Sequence, residues 1–158
     1  MTDLRAPAHV ALRPAVADDV EWIAELRAIV LRPDLERLGR YDDIRVRQRF
    51  RDAFDPADTR IILVDGEDSG SVALRREGEA HWLEHFYIAT AQQGRGVGGR
   101  VLAMLLDESR RYRLNVLQGS PARRLYERHG FQVERQDEID VFMGRDRTGA
   151  VIDHSGDR

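Results

Sequence analysis

The run from His81 to Leu106, HWLEHFYIATAQQGRGVGGRVLAMLL, decides how this chain folds. Its opening stretch, His81 to Ile88, is the most aromatic of the sequence and reads as a strand. Strict alternation puts Trp82, Glu84, Phe86 and Ile88 on one face and Leu83, His85 and Tyr87 on the other. The strand runs into Gln93-Gly94-Arg95-Gly96-Val97-Gly98-Gly99, and a helix pattern follows, with Val101, Leu102, Leu105 and Leu106 inward and Arg100, Asp107, Arg110 and Arg111 outward. A strand, a glycine-rich turn and a helix N-terminus in that order leave a row of unbonded N–H groups at the positive end of a helix dipole, an arrangement that holds phosphate. Arg95 and Arg100 are placed to add charge there. Gly94, Gly96 and Gly99 imitate the dinucleotide fingerprint, but no early βαβ unit or ribose-binding acid accompanies them. A P-loop needs a lysine, and the sequence has none.

Upstream, Val10 to Ala15 reads as a short strand. Asp18 and Glu21 have the spacing of a capping box, and Val20, Ile23, Ala24, Arg27 and Val30 then recur at helical spacing until Pro33 closes the pattern soon after Leu31. Asp34 to Phe54 reads as a loop and a second helix from about Tyr41 to Ala53. Thr59 to Val64 and Ser71 to Arg75 form an antiparallel hairpin whose loop contains Asp65-Gly66 and Ser69-Gly70. Downstream, Arg113 to Leu117 is a fifth strand, and Ser120-Pro121 opens a helix striped by Ala122, Leu125, Tyr126 and His129 and ended by Gly130. Two short strands follow, Phe131 to Arg135 and Asp140 to Met143. The fold class is α+β: a single domain over residues 1–145, with a central, mostly antiparallel mixed sheet of six to seven strands and about four helices. Residues 146–158 are polar and are expected to be a flexible tail.

Two blocks of this pattern together resemble the GNAT superfamily of acetyl-CoA-dependent N-acetyltransferases. One is the cofactor loop, here Gln93-Gly94-Arg95-Gly96-Val97-Gly98. The other is Asn115-Val116-Leu117 followed by Leu125-Tyr126-Glu127-Arg128-His129-Gly130-Phe131, a strand and then a helix ending in the family's Leu-Tyr and Gly-Phe. The resemblance covers roughly Val10 to Arg145. It implies acetyl-CoA as cofactor, bound by backbone amides from Gln93 to Gly99, with Tyr87, Ile88, Arg95, Asn115, Ser120 and Arg123 also in contact. Ser120 departs from the asparagine that many members carry, but it caps a helix about as well.

The chemistry sets further requirements. An alkylammonium of pKa near 10.4 cannot attack a thioester until a proton is removed. Glu84, expected among apolar neighbours that would raise its pKa, is the candidate base, directly or through water. His85 is the other, but it shares a cleft with Glu84 only if the strand carries a bulge, as members of the superfamily often do. The resemblance makes Tyr126 the acid that protonates the leaving thiolate, and puts backbone N–H groups near Tyr87 and Ile88 on the thioester oxygen. No metal is required. Acceptor identity is expected to reside between Arg27 and Arg45, with Arg27, Arg32 and Tyr41 as substrate-binding residues. A guanidinium there would suit an acceptor bearing both an amine and an acid.

Composition narrows the alternatives. All 25 basic residues are arginine against 28 acids, a net charge of −3 with interleaved signs, which disfavours nucleic acid as a partner. No cysteine is present, so disulfides, thiolate metal sites and a cysteine nucleophile are excluded. The longest apolar run, Val101 to Leu106, is far short of a membrane span, and Met1 to Val10 lacks the pattern of a secretory signal, so the expected location is cytoplasmic. The expected acceptor is a small-molecule amine, and a homodimer through the edges of the last two strands is a further expectation. The competing reading is a non-catalytic acyl-CoA-binding sensor or interaction module of the same fold.

Overall fold

The computed structural model describes residues 7–148. Its elements run β1 (Val10–Pro14), α1 (Val20–Arg37), α2 (Asp43–Ala53), β2 (Thr59–Val64), β3 (Glu67–Glu77), β4 (Ala80–Ile88), α3 (Val97–Leu105), β5 (Arg111–Leu117), α4 (Ala122–Arg128), β6 (Gln132–Gln136) and β7 (Asp140–Arg145). The seven strands make one sheet in the order β1-β2-β3-β4-β5-β7-β6. Every neighbouring pair is antiparallel except β4 and β5. The edge strands are therefore β1 and β6, and β7 lies inside the sheet rather than at an edge.

Helices cover both faces of the sheet, which is why β2 is apolar on successive residues instead of alternating. Ile62 and Val64 join Leu83, Leu102, Leu114 and Phe131 in the core beneath α3 and α4. Ile61 joins Ile23, Ala24, Phe50 and Tyr87 in a second core beneath α1 and α2.

Four local expectations change, the first being that α3 ends at Leu105, so Asp107 and Arg110, read as its outer face, lie in the connection that follows and Arg111 opens β5. The β2–β3 connection is the two-residue turn Asp65-Gly66 alone, both at positive φ (52° and 84°), so β3 starts at Glu67. Ser69-Gly70 lies within the strand, where Ser69 is the extra residue of a bulge between Ile62↔Gly70 and Leu63↔Asp68. Helix α1 does not stop at Pro33 but continues to Arg37. Pro33 is exposed and its missing bond falls near Ile29, on the solvent side, so the loss is offset by packing along the rest of the helix. Asp18 is exposed and caps nothing, whereas Asp19 is buried and accepts from the Arg13 guanidinium (3.0 and 3.1 Å), the Val16 amide (2.9 Å) and the Trp22 indole (2.8 Å). These bonds, the Arg13 pair foremost and against the effect of burial, pull the Asp19 pKa down to about 2. Asp42 caps α2, accepting from the amides of Ile44 and Arg45.

Of the expected tail, Asp146 to Thr148 are held to the fold by Arg113–Asp146 (3.3 Å) and Thr148 N–H to the Glu108 carbonyl (3.1 Å). Residues 149–158, and 1–6 at the other end, lie outside the described residues. Among the described residues no helix is long and apolar enough to cross a membrane.

Candidate active site

Strands β4 and β5 are paired only at Ala80↔Arg111, His81↔Tyr112 and Trp82↔Arg113, after which they part. The gap between their C-terminal halves opens a cleft of about 1260 Å³, bounded by the glycine turn, α4 and the α1–α2 pair. A break between parallel strands exposes backbone groups that a continuous sheet would use. Ala89 N–H returns to the Ser69 carbonyl (2.8 Å), so the preceding amide, that of Ile88, faces the gap, and the Ile88 carbonyl accepts there from the Gln93 side chain (3.0 Å). The Tyr87 backbone faces the other way, toward β3.

The glycine turn behaves as its sequence implies. Gly94 and Gly96 take φ of 77° and 76°, conformations costly for any other residue, and Gly96 is the residue from which α3 departs. The first helical bond is Arg100 N–H to the Gly96 carbonyl, which leaves the N–H groups of Val97, Gly98 and Gly99 without helical partners at the mouth of the cleft. Gly98 has a packing duty as well, because a Cβ there would lie 2.9 Å from Leu125 Cδ2. Three arginines of this region are otherwise engaged, while Arg128 on α4 lines the cleft without an ion pair among the described residues. Arg95 donates to Gln92 Oε1 (2.5 Å) and reaches Asp65 (3.5 Å), Arg100 donates to the Ala8 carbonyl, and Arg123 pairs with Glu127 (3.2 Å). None of the three lines the cleft.

The decisive feature of β4 is a bulge. Ala73 pairs with Glu84 and Ser71 with Tyr87, so His85 and Phe86 together oppose Val72, and His85 sits at φ 49°. A β-carbon in that region is strained, and such strain gathers at functional positions. The extra residue overturns strict alternation: Leu83, Phe86 and Ile88 pack toward α3 and α4, while Glu84, His85 and Tyr87 share the face toward α1 and α2. Glu84 and His85 therefore line the same cleft. The Ser71 hydroxyl closes the bulge by donating to the His85 carbonyl (2.9 Å).

Glu84 does not sit among apolar groups alone. Arg75 meets both of its oxygens, at 2.9 and 3.1 Å, and also reaches Glu77 (2.6 Å). His85 is held differently. Its Nδ1 lies 3.1 Å from the Tyr87 hydroxyl, which accepts from Arg27 Nε (2.9 Å), and the Phe50 ring meets the imidazole edge-on at 5.1 Å. Burial lowers the His85 pKa; Glu84 opposes that shift, and the nearby charges of Arg27 and Arg75 add to it. The imidazole is accordingly neutral at pH 7.

Across the gap, Tyr126 is buried between Phe86 and Phe131, with its hydroxyl unbonded to any described residue. Burial raises its pKa, so the phenol keeps its proton at neutral pH. Ser120 Oγ accepts from Ala122 N–H (3.2 Å) just ahead of α4, whose N-cap position is Pro121 and not Ser120, and Asn115 donates to Asp140 (3.0 Å); Ser120 and Asn115 both line the cleft.

The α1–α2 wall differs most from expectation. Arg27 reaches the cleft, but its guanidinium donates to Tyr87 and to the Val46 carbonyl. Arg32 pairs with Glu36 (3.0 Å) and stacks over the Tyr41 ring at 4.7 Å, and neither Arg32 nor Tyr41 lines the cleft. Arg40, Arg45 and Arg49 line it instead. Their i, i+4 spacing within the Tyr41–Ala53 helix was the available signal for Arg45 and Arg49. Nothing local in sequence announces Tyr87 as the link between Arg27 and His85.

The sequence model of the acetyltransferase (GNAT) domain matches residues 57–133. No curated protein sequence matches the chain. Among solved structures, the chain is similar to a PaiA N-acetyltransferase from Thermoplasma acidophilum in complex with coenzyme A, with 18% identity, TM-score 0.68, and 87% of this chain and 99% of that one covered. It is also similar to an N-acetyltransferase from Staphylococcus aureus, with 16% identity, TM-score 0.65 and coverage of 85% and 98%. A third likeness is to N-acetylglutamate synthase from Neisseria gonorrhoeae complexed with coenzyme A and N-acetyl-glutamate, at 21% identity and TM-score 0.61, covering 89% of this chain and 35% of that one.

Proposed function

We propose that the chain is a member of the GNAT acetyltransferase family, whose domain model matches residues 57–133, and that it transfers an acetyl group from acetyl-CoA to the primary amine of a small molecule. The observation that carries this reading is convergence: the bare N-terminus of α3, the free amide of Ile88, the His85 imidazole and the Tyr126 phenol all open on one cleft.

In this reading the N–H groups of Val97, Gly98 and Gly99 meet the pyrophosphate of acetyl-CoA, where the helix dipole favours negative charge. The Gly94 and Gly96 conformations let the backbone approach it closely. Ile88 N–H donates to the thioester oxygen as negative charge develops there. His85 removes a proton from the acceptor ammonium. Two features support it over Glu84: the imidazole is already neutral and held by Tyr87, whereas Arg75 takes both oxygens of Glu84. Glu84, one residue away, stabilises the imidazolium that results. Tyr126 gives its proton to the departing thiolate.

The test is a calorimetric titration with acetyl-CoA beside NAD and ATP, followed by a thiol-release assay over an amine panel. Binding of acetyl-CoA alone, near 10 µM or about 7 kcal/mol, with amine-dependent thiol release is the expected result. Binding without release for any amine points to a non-catalytic acyl-CoA sensor, and no binding removes the reading altogether.

A further inference from the structure

Helix α2 carries two rows of arginine at i, i+4 spacing, and the rows have opposite fates. Arg47 and Arg51 turn toward α1. Arg47 grips both oxygens of Glu25 (2.7 and 3.1 Å) and reaches Asp43 (2.7 Å), and Arg51 grips both oxygens of Glu21 (2.9 Å each). Arg45 and Arg49 line the cleft beside Val46, with Arg40 next to them. None of these three guanidiniums has a carboxylate within 4.0 Å among the described residues.

The acids of that wall are already committed. Asp42 caps α2, Asp34 pairs with Arg37 (2.6 Å), and Glu84 pairs with Arg75. Across the cleft, on the β6–β7 turn, Asp137 accepts from the amides of Ile139 and Asp140, and Asp140 accepts from Asn115. Glu138 there is the cleft carboxylate that has no partner among the described residues. The α2 wall thus offers three clustered, unanswered cations and the β6–β7 turn an unanswered anion, with Arg128 on α4 a further unpaired cation of the cleft.

We propose that Arg45 and Arg49, assisted by Arg40, bind the carboxylate of the acceptor, which makes the acceptor an amine that also carries an acid, of amino-acid type. A guanidinium binds a carboxylate through two parallel N–H bonds, and the α1-facing row of the same helix shows that bond formed twice. This rests on the amine-acetylating reading above and assigns the acid to a different set of residues from the Arg27, Arg32 and Tyr41 suggested by sequence.

Two measurements test it. In the thiol-release assay, amino acids are compared with their own amides, for the native protein and for Arg45→Gln/Arg49→Gln. The acid form is expected to be preferred by about ten- to a hundredfold in kcat/KM, and the double variant to lose that preference through KM with kcat little changed. Arg51→Gln, in the other row, is expected to keep it. Independently of turnover, calorimetry with coenzyme A-saturated protein compares an N-acetyl amino acid with its N-acetyl amide, and the same double variant should abolish the difference. Equal use and equal binding of acid and amide, or a preference that survives the double substitution, overturns the subsite. If no amine releases thiol but the N-acetyl acid still binds in an Arg45- and Arg49-dependent way, the catalytic reading falls while the anion subsite stands.

Discussion

The two sides of the cleft are built from different materials. On the α3 side, the groups set to meet the phosphates are backbone, three helix-end amides together with two glycines at positive φ, and the Ile88 amide and the Tyr126 phenol stand deeper in the cleft. On the α1–α2 side they are side chains drawn from distant parts of the chain, with Arg27 reaching Tyr87 across 60 positions and Tyr87 in turn holding His85. A backbone site needs only a local sequence to specify it, and it serves any protein that binds the same phosphate. A side-chain site is specified by packing and can change from one protein to the next without disturbing the first.

Substitution at His85 separates the two sides most sharply. His85→Gln is expected to lower kcat by about 10² to 10⁴, the loss of general-base help, while the acetyl-CoA dissociation constant stays within about twofold. In the native protein kcat/KM should fall on the acid side with an apparent pKa below the ordinary 6.5 of histidine, since burial favours the neutral ring and the base must be neutral to act. Removing the Arg27 charge, in Arg27→Gln, should shift that limb upward. Undiminished turnover of His85→Gln beside a crippled Glu84→Gln would return the role of base to Glu84.

Next in size is the joint between the two sides. Gly70 pairs with Ile88 at the end of the bulged segment, and a Cβ there would lie 2.2 Å from the Tyr87 carbonyl oxygen, a backbone atom that cannot swing away. Gly70→Ala should cost about 3 kcal/mol in urea unfolding and also reduce turnover of the folded fraction by displacing His85. An alanine variant of unchanged midpoint would mean that β3 shifts freely there, and that the bulge does not depend on this register.

The sequence was most legible where chemistry is local. The glycine turn, α3, α4 and the sheet class follow from residue type and spacing. That His85 shares the cleft with Glu84 was legible only as a condition, a bulge in β4, because a bulge depends on strand register, and register is set by β3, a strand whose Ser69-Gly70 reads as turn and not as bulge. Pro33 misled for a related reason: propensity acts on isolated segments, whereas α1 is held by its buried face. Arg27 was identified as a cleft residue but not its bonds to Tyr87 and Val46, since charge patterning shows that arginines cluster without showing which are already paired.

Asp19 offers a smaller and purely structural test on the α1 side. Its carboxyl is held at about 2 against an ordinary 3.8, so the stabilisation it brings is present in full above about pH 4 and is lost as pH falls through 2. Asp19→Asn should therefore lower stability by about 2 kcal/mol at pH 7, and the two proteins should converge in urea midpoint near pH 2. Acetyl-CoA affinity should be untouched, because nothing at this corner reaches α3. A loss of affinity equal to the loss of stability would show that the two sides are coupled more tightly than their separate cores suggest.

The smallest effects are expected from Arg32 and Arg123, one suggested by sequence on each side. Both side chains are more than a third exposed and bound to an acid four residues along their own helix, Glu36 and Glu127. Water screens exposed pairs of that kind, and they contribute little to stability. Arg32→Ala loses in addition the stacking over Tyr41, itself outside the cleft, and Arg123→Ala removes a charge that the sequence placed on the cofactor but that the fold places on Glu127. Neither variant should change kcat/KM or acetyl-CoA affinity by more than about twofold. A tenfold weakening of acetyl-CoA binding in Arg123→Ala would mean that this side chain leaves Glu127 when acetyl-CoA arrives. The α3 side would then recruit side chains as well as backbone, and the contrast between the two sides would narrow to the position of the base.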